Sequence, residues 1–179
     1  MKKIIYIPAY FVLLFISTAL SYSLLDHYEV TTGHKIAFKS ADPSGSFAKI
    51  SGSIDFDETE ISTCKFVLNI PVSSISTGNA LRDKKAQTAE WFNAKTYPDI
   101  KFVSTSVTKS GETFNIKGNL TMKGVTKLVT IPATLSKSGN KITFNSSFTI
   151  DRIKFGVGKK SDVVPDNMAI SVVLPAIKK

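Results

Sequence analysis

Cysteine occurs once in the 179 residues, at Cys64, so the chain cannot close a disulfide on itself or build a multi-cysteine metal site. Histidine occurs twice, at His27 and His34, which leaves little material for histidine-based catalysis. Cys64 has no histidine near it in sequence and reads as a small buried hydrophobe rather than half of a nucleophile–base pair. No Gly-Xaa-Ser-Xaa-Gly, His-Glu-Xaa-Xaa-His or P-loop pattern occurs. Asp26, His27, Glu29 and His34 lack the tight spacing of metal ligands, so neither a metal nor a cofactor is expected. Arginine is also scarce, at Arg82 and Arg152 alone. The other 21 bases are lysines scattered over positions such as Lys101, Lys109, Lys117, Lys127 and Lys141. Phosphate-binding surfaces gather their bases on one face, so no nucleic-acid partner is expected. These absences argue against an enzyme.

What the chain does contain is 42% hydrophobic residues, with twelve Phe against one Trp, and a formal net charge of +9. Its length suits one domain with a real core. Lys2 and Lys3 precede a nearly unbroken apolar run from Ile4 to Leu20, with small residues at Ala19, Ser21 and Ser23. Residues 1–23 have the anatomy of a signal peptide, which predicts cleavage and a periplasmic or secreted domain over residues 24–179. A retained membrane anchor is the alternative. No cysteine stands near the cleavage region, which argues against a lipoprotein anchor. The exported part keeps a charge of +7, since the first 23 residues lose two lysines and contain no acid. That balance is compatible with peripheral contact to an anionic membrane surface.

From residue 27 the hydrophobic pattern has a period of two. Phe114, Ile116, Gly118, Leu120 and Met122 alternate with Asn115, Lys117, Asn119 and Thr121, and the stretch 141–151 repeats the pattern with Ile142, Phe144, Ser146, Phe148 and Ile150. Further strands read at 35–40, 48–57, 65–73, 100–108, 126–136 and 167–176, several joined by hairpin-length turns such as Ser110-Gly111, Lys123-Gly124 and Ser138-Gly139-Asn140. Eight strands without βαβ alternation predict an all-β, eight-stranded antiparallel barrel, with a two-sheet sandwich as the competitor. The inward residues of such a barrel include Ile54 and Phe56, then Phe66, Leu68 and Ile70, then Phe102. Phe114, Ile116, Gly118 and Leu120 follow, then Phe144 and Phe148, and lastly Ile170 and Val172. Gly52, Gly118 and Ser146 are small residues on this dry face. They either leave room for a ligand, in which case Gly118→Leu blocks it and spares the fold, or relieve backbone crowding.

The stretch 74–99 does not alternate and is too long for an idle connection. Leu81, Ala89 and Phe92 are spaced for one helical face, and Thr77 or Thr88 offers a cap. A short helical segment over one barrel end is predicted, acting either as a plug or as a lid with Trp91 and Phe92. Arg82, Lys85 and Arg152 are the candidates for contact with a polar head group. The competing role for the two arginines is pairing with Asp83 or Asp151, or bonding to backbone carbonyls.

The strings Ser74-Ile75-Ser76-Thr77-Gly78-Asn79, Arg82-Asp83, Glu90-Trp91-Phe92 and Tyr97-Pro98-Asp99-Ile100-Lys101-Phe102 resemble the YceI-like polyisoprenoid-binding domain family. So do Gly118 to Lys127 and Asp151-Arg152-Ile153-Lys154-Phe155-Gly156-Val157-Gly158. The resemblance runs from about residue 28 to 176. It implies a lipocalin-like barrel that holds a long-chain amphiphilic lipid, a polyisoprenoid or fatty chain, in its interior, with transport or storage rather than catalysis as its role. A packed structural module of the cell envelope is the alternative, and a dimer is compatible with either. The family often carries histidine at two places where this chain has Ser40 and Lys85; the second keeps a cation for an anionic head group.

Overall fold

Strands form wherever the alternation is strict, and their inner faces are the buried ones. The computed structural model describes residues 25–179, and the expected signal peptide lies outside the described residues. Its elements are β1 (Asp26–Val30), β2 (Lys35–Lys39), β3 (Ser44–Phe47), β4 (Ser51–Phe56), β5 (Lys65–Pro71), β6 (Ile75–Ser76), α1 (Ala80–Ala86), β7 (Asp99–Ser110), β8 (Thr113–Met122), β9 (Val125–Ser138), β10 (Lys141–Asp151) and β11 (Asn167–Lys178). In β8, Phe114, Ile116, Gly118, Leu120 and Met122 are all buried, while Lys117 and Asn119 between them are exposed.

The registers reduce these eleven strands to eight staves. β1 and β2 both lie antiparallel to β11, with Tyr28 opposite Lys178 and Val30 opposite Ala176, then Ile36 opposite Val172. They are two parts of one stave, interrupted at residues 31–34. β3 and β4 likewise continue one another, as do β5 and β6, because β3 pairs with β2 and β6 while β4 pairs with β1 and β5. The bond from Ala48 N–H to the Ser74 carbonyl keeps the second and third staves laced across the interruption. Every stave neighbours its predecessor in sequence, and the first closes on the last. The result is a closed eight-stranded antiparallel barrel, with one short helix among the described residues. The predicted strands match the eight staves. Residues 26–30, 44–47 and 75–76 extend them past irregular breaks that local periodicity did not bridge.

One end of the barrel is solid. Phe144 stands at its centre, with ring centroids 5.4 Å from Phe56, 5.1 Å from Phe66 and 6.1 Å from Phe114, all edge-on. Each such aromatic pair adds about 0.5–1.5 kcal/mol beyond area burial. Ile54, Cys64, Ile142 and Ala176 complete the packing. Outside, Glu58 bridges Lys109 and Lys137, whose ammonium groups lie over the rings of Phe114 and Phe56. The bond from Lys137 holds the Glu58 carboxyl below the usual carboxylate range. Its small contribution to stability is therefore fully present above that range and is lost as pH falls below it, through the lowered value of the folded protein.

Cys64 sits in this end, accepting a bond from Asp57 N–H and donating to the Asp57 carbonyl at 3.3 Å each. Burial pushes its thiol pKa up. In native protein Cys64 is therefore expected to resist a thiol-specific disulfide reagent at mildly alkaline pH and to react fully once denaturant unfolds the chain. Rapid stoichiometric labelling of folded protein contradicts this placement.

Candidate functional site

The other end is hollow. Above Phe66 and Phe144 the barrel encloses a cavity of about 400 Å³. Its wall is almost wholly apolar, built from Leu68 and Ile70 of β5, Ile116 and Leu120 of β8, Ile131 of β9, Phe148 of β10, and Ile170 and Val172 of β11. Ser146 is among its few polar contributors, and its hydroxyl is bonded to the Pro132 carbonyl. The hollow has a signature in burial. Inward residues such as Leu68, Ile70, Phe148, Ile170 and Val172 are only partly buried, because they border empty space rather than other side chains.

Of the residues proposed from sequence to line the interior, Phe66, Leu68, Ile70, Phe102, Ile116, Leu120, Phe144, Phe148, Ile170 and Val172 border this cavity. Ile54, Phe56, Phe114 and Gly118 do not. Ile54, Phe56 and Phe114 point inward at the solid end, a distinction that alternation cannot make because it reports face and not height along the barrel. Gly118 leaves no space either. A Cβ there comes within 2.6 Å of the Phe102 ring and 2.6 Å of the Val103 carbonyl oxygen, so the glycine admits its neighbours, as the crowding alternative holds. Gly52 is similar, with a Cβ position only 2.0 Å from the Val67 carbonyl oxygen and φ of +144°. Gly118→Leu is thus expected to cost several kcal/mol, visible as lost soluble yield or a lowered urea midpoint, rather than to block the cavity in an intact fold. A Gly118→Leu protein as stable as the parent contradicts this.

The segment after β6 lies across the hollow end, but its details differ from the periodicity reading. Asn79, not Thr77 or Thr88, caps α1, its side-chain oxygen accepting from the N–H groups of Leu81 and Arg82. Leu81 is 77% exposed, so it does not share an inner face with Phe92. Asp83 accepts from the N–H and hydroxyl of Thr77, at 2.7 Å each. Arg82 instead makes a two-pronged bridge to Asp42 in the turn between β2 and β3. Arg82, Lys85, Asp42 and Pro43 border the mouth together with Val163 and Val164.

Trp91 and Phe92 both border the cavity, and Phe92 meets Phe47 edge-on at 6.1 Å. Their segment is fastened down. Gly158 N–H donates to the Glu90 carbonyl, and Lys123 Nζ donates to the carbonyls of Glu90 and Gly156. Tyr97 lies on Gly124 and the Trp91 ring on Gly158, where a Cβ meets ring atoms at 2.6 and 2.9 Å respectively. Local periodicity gives no sign of these clamps, which join residues far apart in sequence.

Arg152 is the buried member of the three basic candidates. Its guanidinium donates to the carbonyls of Val157, Lys159, Val164 and Pro165, sits 3.6 Å from Asp166, and lies over the Trp91 ring. Backbone carbonyls thus occupy its donors, and its acid partner is Asp166 rather than Asp151. Lysine cannot reproduce that planar set of donors. Arg152→Lys is expected to destabilise the ligand-free protein by about 3 kcal/mol, a fall in Tm of roughly 6–12 °C by circular dichroism. An unchanged Tm contradicts the clamp.

The YceI-like domain family model matches residues 25–176. The chain belongs to that family. Protein YceI of Salmonella arizonae and that of Salmonella paratyphi B are each 42% identical over 96 residues, 54% of this chain, and the match spans about half the length (50%) of those relatives. Among solved structures, Burkholderia cenocepacia BcnA superposes with a TM-score of 0.75 at 29% identity, covering 79% of this chain and 95% of that one. A polyisoprenoid binding domain from Saccharophagus degradans superposes with a TM-score of 0.67 over 87% of this chain and all of that one, at 15% identity, which shows the shared fold. In this YceI-like chain the hollow end, the mouth cations and the fastened segment together make the candidate site.

Proposed function

We propose that this YceI-like barrel is an exported carrier that holds the chain of an amphiphilic lipid, polyisoprenoid or fatty, and catalyses no reaction. The observation that carries the reading is the apolar cavity, floored by Phe66 and Phe144 and open where Arg82 and Lys85 stand. The fold shared with a polyisoprenoid binding domain supports it. Its volume falls within the ordinary range of small-molecule sites, about 300–1,000 Å³. Burying each methylene contributes about 0.8 kcal/mol, so a long tail binds without specific contacts and similar tails bind alike. A polar head cannot follow the tail into a wall without partners for it. It rests at the mouth, where an anionic head gains charge-assisted bonds from Lys85, and from Arg82 in exchange for Asp42.

Mass spectrometry of an organic extract of the purified protein is the direct test, with a co-purified lipid as the expected result. A lipid-free extract from protein that also takes up no added prenyl or fatty chain overturns the proposal in favour of a structural module. Ile131→Trp, which fills the cavity from β9, is expected to weaken prenyl alcohol binding at least about tenfold while the protein stays folded. Lys85→Ala is expected to weaken a prenyl pyrophosphate more than the alcohol, and more at low salt than at high. Equal effects on the two ligands remove Lys85 from the head-group role.

A further inference from the structure

The two ends of the barrel differ in charge as well as in filling. The connections at the hollow end (39–44, 74–99, 122–125 and 151–167) carry ten bases against seven acids. Those at the solid end (26–29, 55–65, 109–113, 137–141 and 178–179) carry six bases against seven acids. At the hollow end several acids are engaged internally. Asp42 holds Arg82, Asp83 holds Thr77, Asp151 accepts from the N–H groups of Ile153 and Lys154, and Asp166 faces Arg152. Lys84, Lys85, Lys159 and Lys160 have no acidic partner among the described residues.

The same end holds the two most exposed large apolar side chains of the described residues, Leu81 at 77% and Val163 at 73%. Val163 borders the cavity mouth, and Leu81 precedes Arg82, which borders it too. On α1, positions three and four apart share a face, so Leu81, Lys84 and Lys85 stand together on the outside of the helix. An apolar side chain set among unpaired ammonium groups matches the boundary of an anionic bilayer, where lipid phosphates meet the lysines and the leucine reaches the acyl layer.

We infer that the cavity mouth is a docking surface for an anionic lipid bilayer, seated by Leu81 and Val163 and held by Lys84, Lys85, Lys159 and Lys160. Docked this way, the mouth opens onto the membrane, and a chain passes between bilayer and cavity without crossing water. The inference rests on the carrier reading for its purpose, and its test is separate from that reading.

The probe is sedimentation of the protein with phosphatidylcholine vesicles, with and without phosphatidylglycerol, at low and high salt. Binding is expected to the phosphatidylglycerol vesicles and to fall with salt. Each lysine near an anionic surface is worth roughly fivefold in partitioning. The triple reversal Lys84→Glu, Lys159→Glu, Lys160→Glu is therefore expected to lower binding about a hundredfold or more. Leu81→Ser is expected to lower it at least about threefold. Leu128→Ser, on the barrel wall at a residue 55% exposed, leaves it unchanged. Uptake of an uncharged fluorescent fatty alcohol from solution by the same variants reports on the cavity alone and is expected to stay at the parent level. No vesicle binding, binding that ignores phosphatidylglycerol, or equal losses with Leu128→Ser overturn the docking surface. Parent-like vesicle binding by a protein that takes up no fatty probe leaves the docking surface standing and removes the carrier reading instead.

Discussion

The packing of three phenylalanines around Phe144 is the constraint on which the rest of the molecule depends. Phe56, Phe66 and Phe114 reach it from three other staves, so the ring cluster draws distant parts of the barrel into one solid end. Once that end is full, the remaining interior volume can only lie above it, and the upper surfaces of Phe66 and Phe144 become a floor. Close packing on one side and a void on the other is costly unless something occupies the void, because its lining residues lack partner atoms. In the proposed carrier a bound chain supplies those atoms.

Holding the hollow end open is a different problem from filling the solid end. A ring of connections without core beneath it needs its own fastening, and Arg152 provides much of it by gathering the carbonyls of the 157–165 loop around one buried guanidinium. Trp91 lies over that guanidinium, so the helical segment and the loop are held by the same side chain. The residues by which the chain resembles its family are concentrated in these fastenings: Trp91 on Gly158, Tyr97 on Gly124, and Lys123 on the carbonyls of Glu90 and Gly156. They shape the mouth. Arg82, bridged to Asp42, and Lys85 remain exposed at its edge.

The closed barrel and its eight staves were legible in the sequence because a strand's side chains alternate with a period of two whatever its neighbours are. That rule identified which residues of β8 and β10 face inward. It failed where strands break, as between β1 and β2, since a few irregular residues erase the period while the ladder resumes on the far side. It also misread α1, where seven residues are too few for spacing to reveal a face and a side-chain cap at Asn79 sets the start.

The family and the inward faces therefore follow from the sequence by itself, because motifs and alternation are local properties of the chain. Where along the barrel the interior is full was decided by the tertiary structure. Ile54, Phe56 and Phe114 look no different in sequence from Ile70 and Phe148, yet the first three are packed into the solid end and the last two meet a cavity. Gly118 was compatible with room for a ligand or with relief of crowding, and Phe102, on another strand, decides for the second. Arg152 became a clamp and Arg82 a partner of Asp42 for the same reason. A side chain's height in a barrel and its partner across a gap depend on the stagger of neighbouring strands, and that stagger exists only once the sheet has closed.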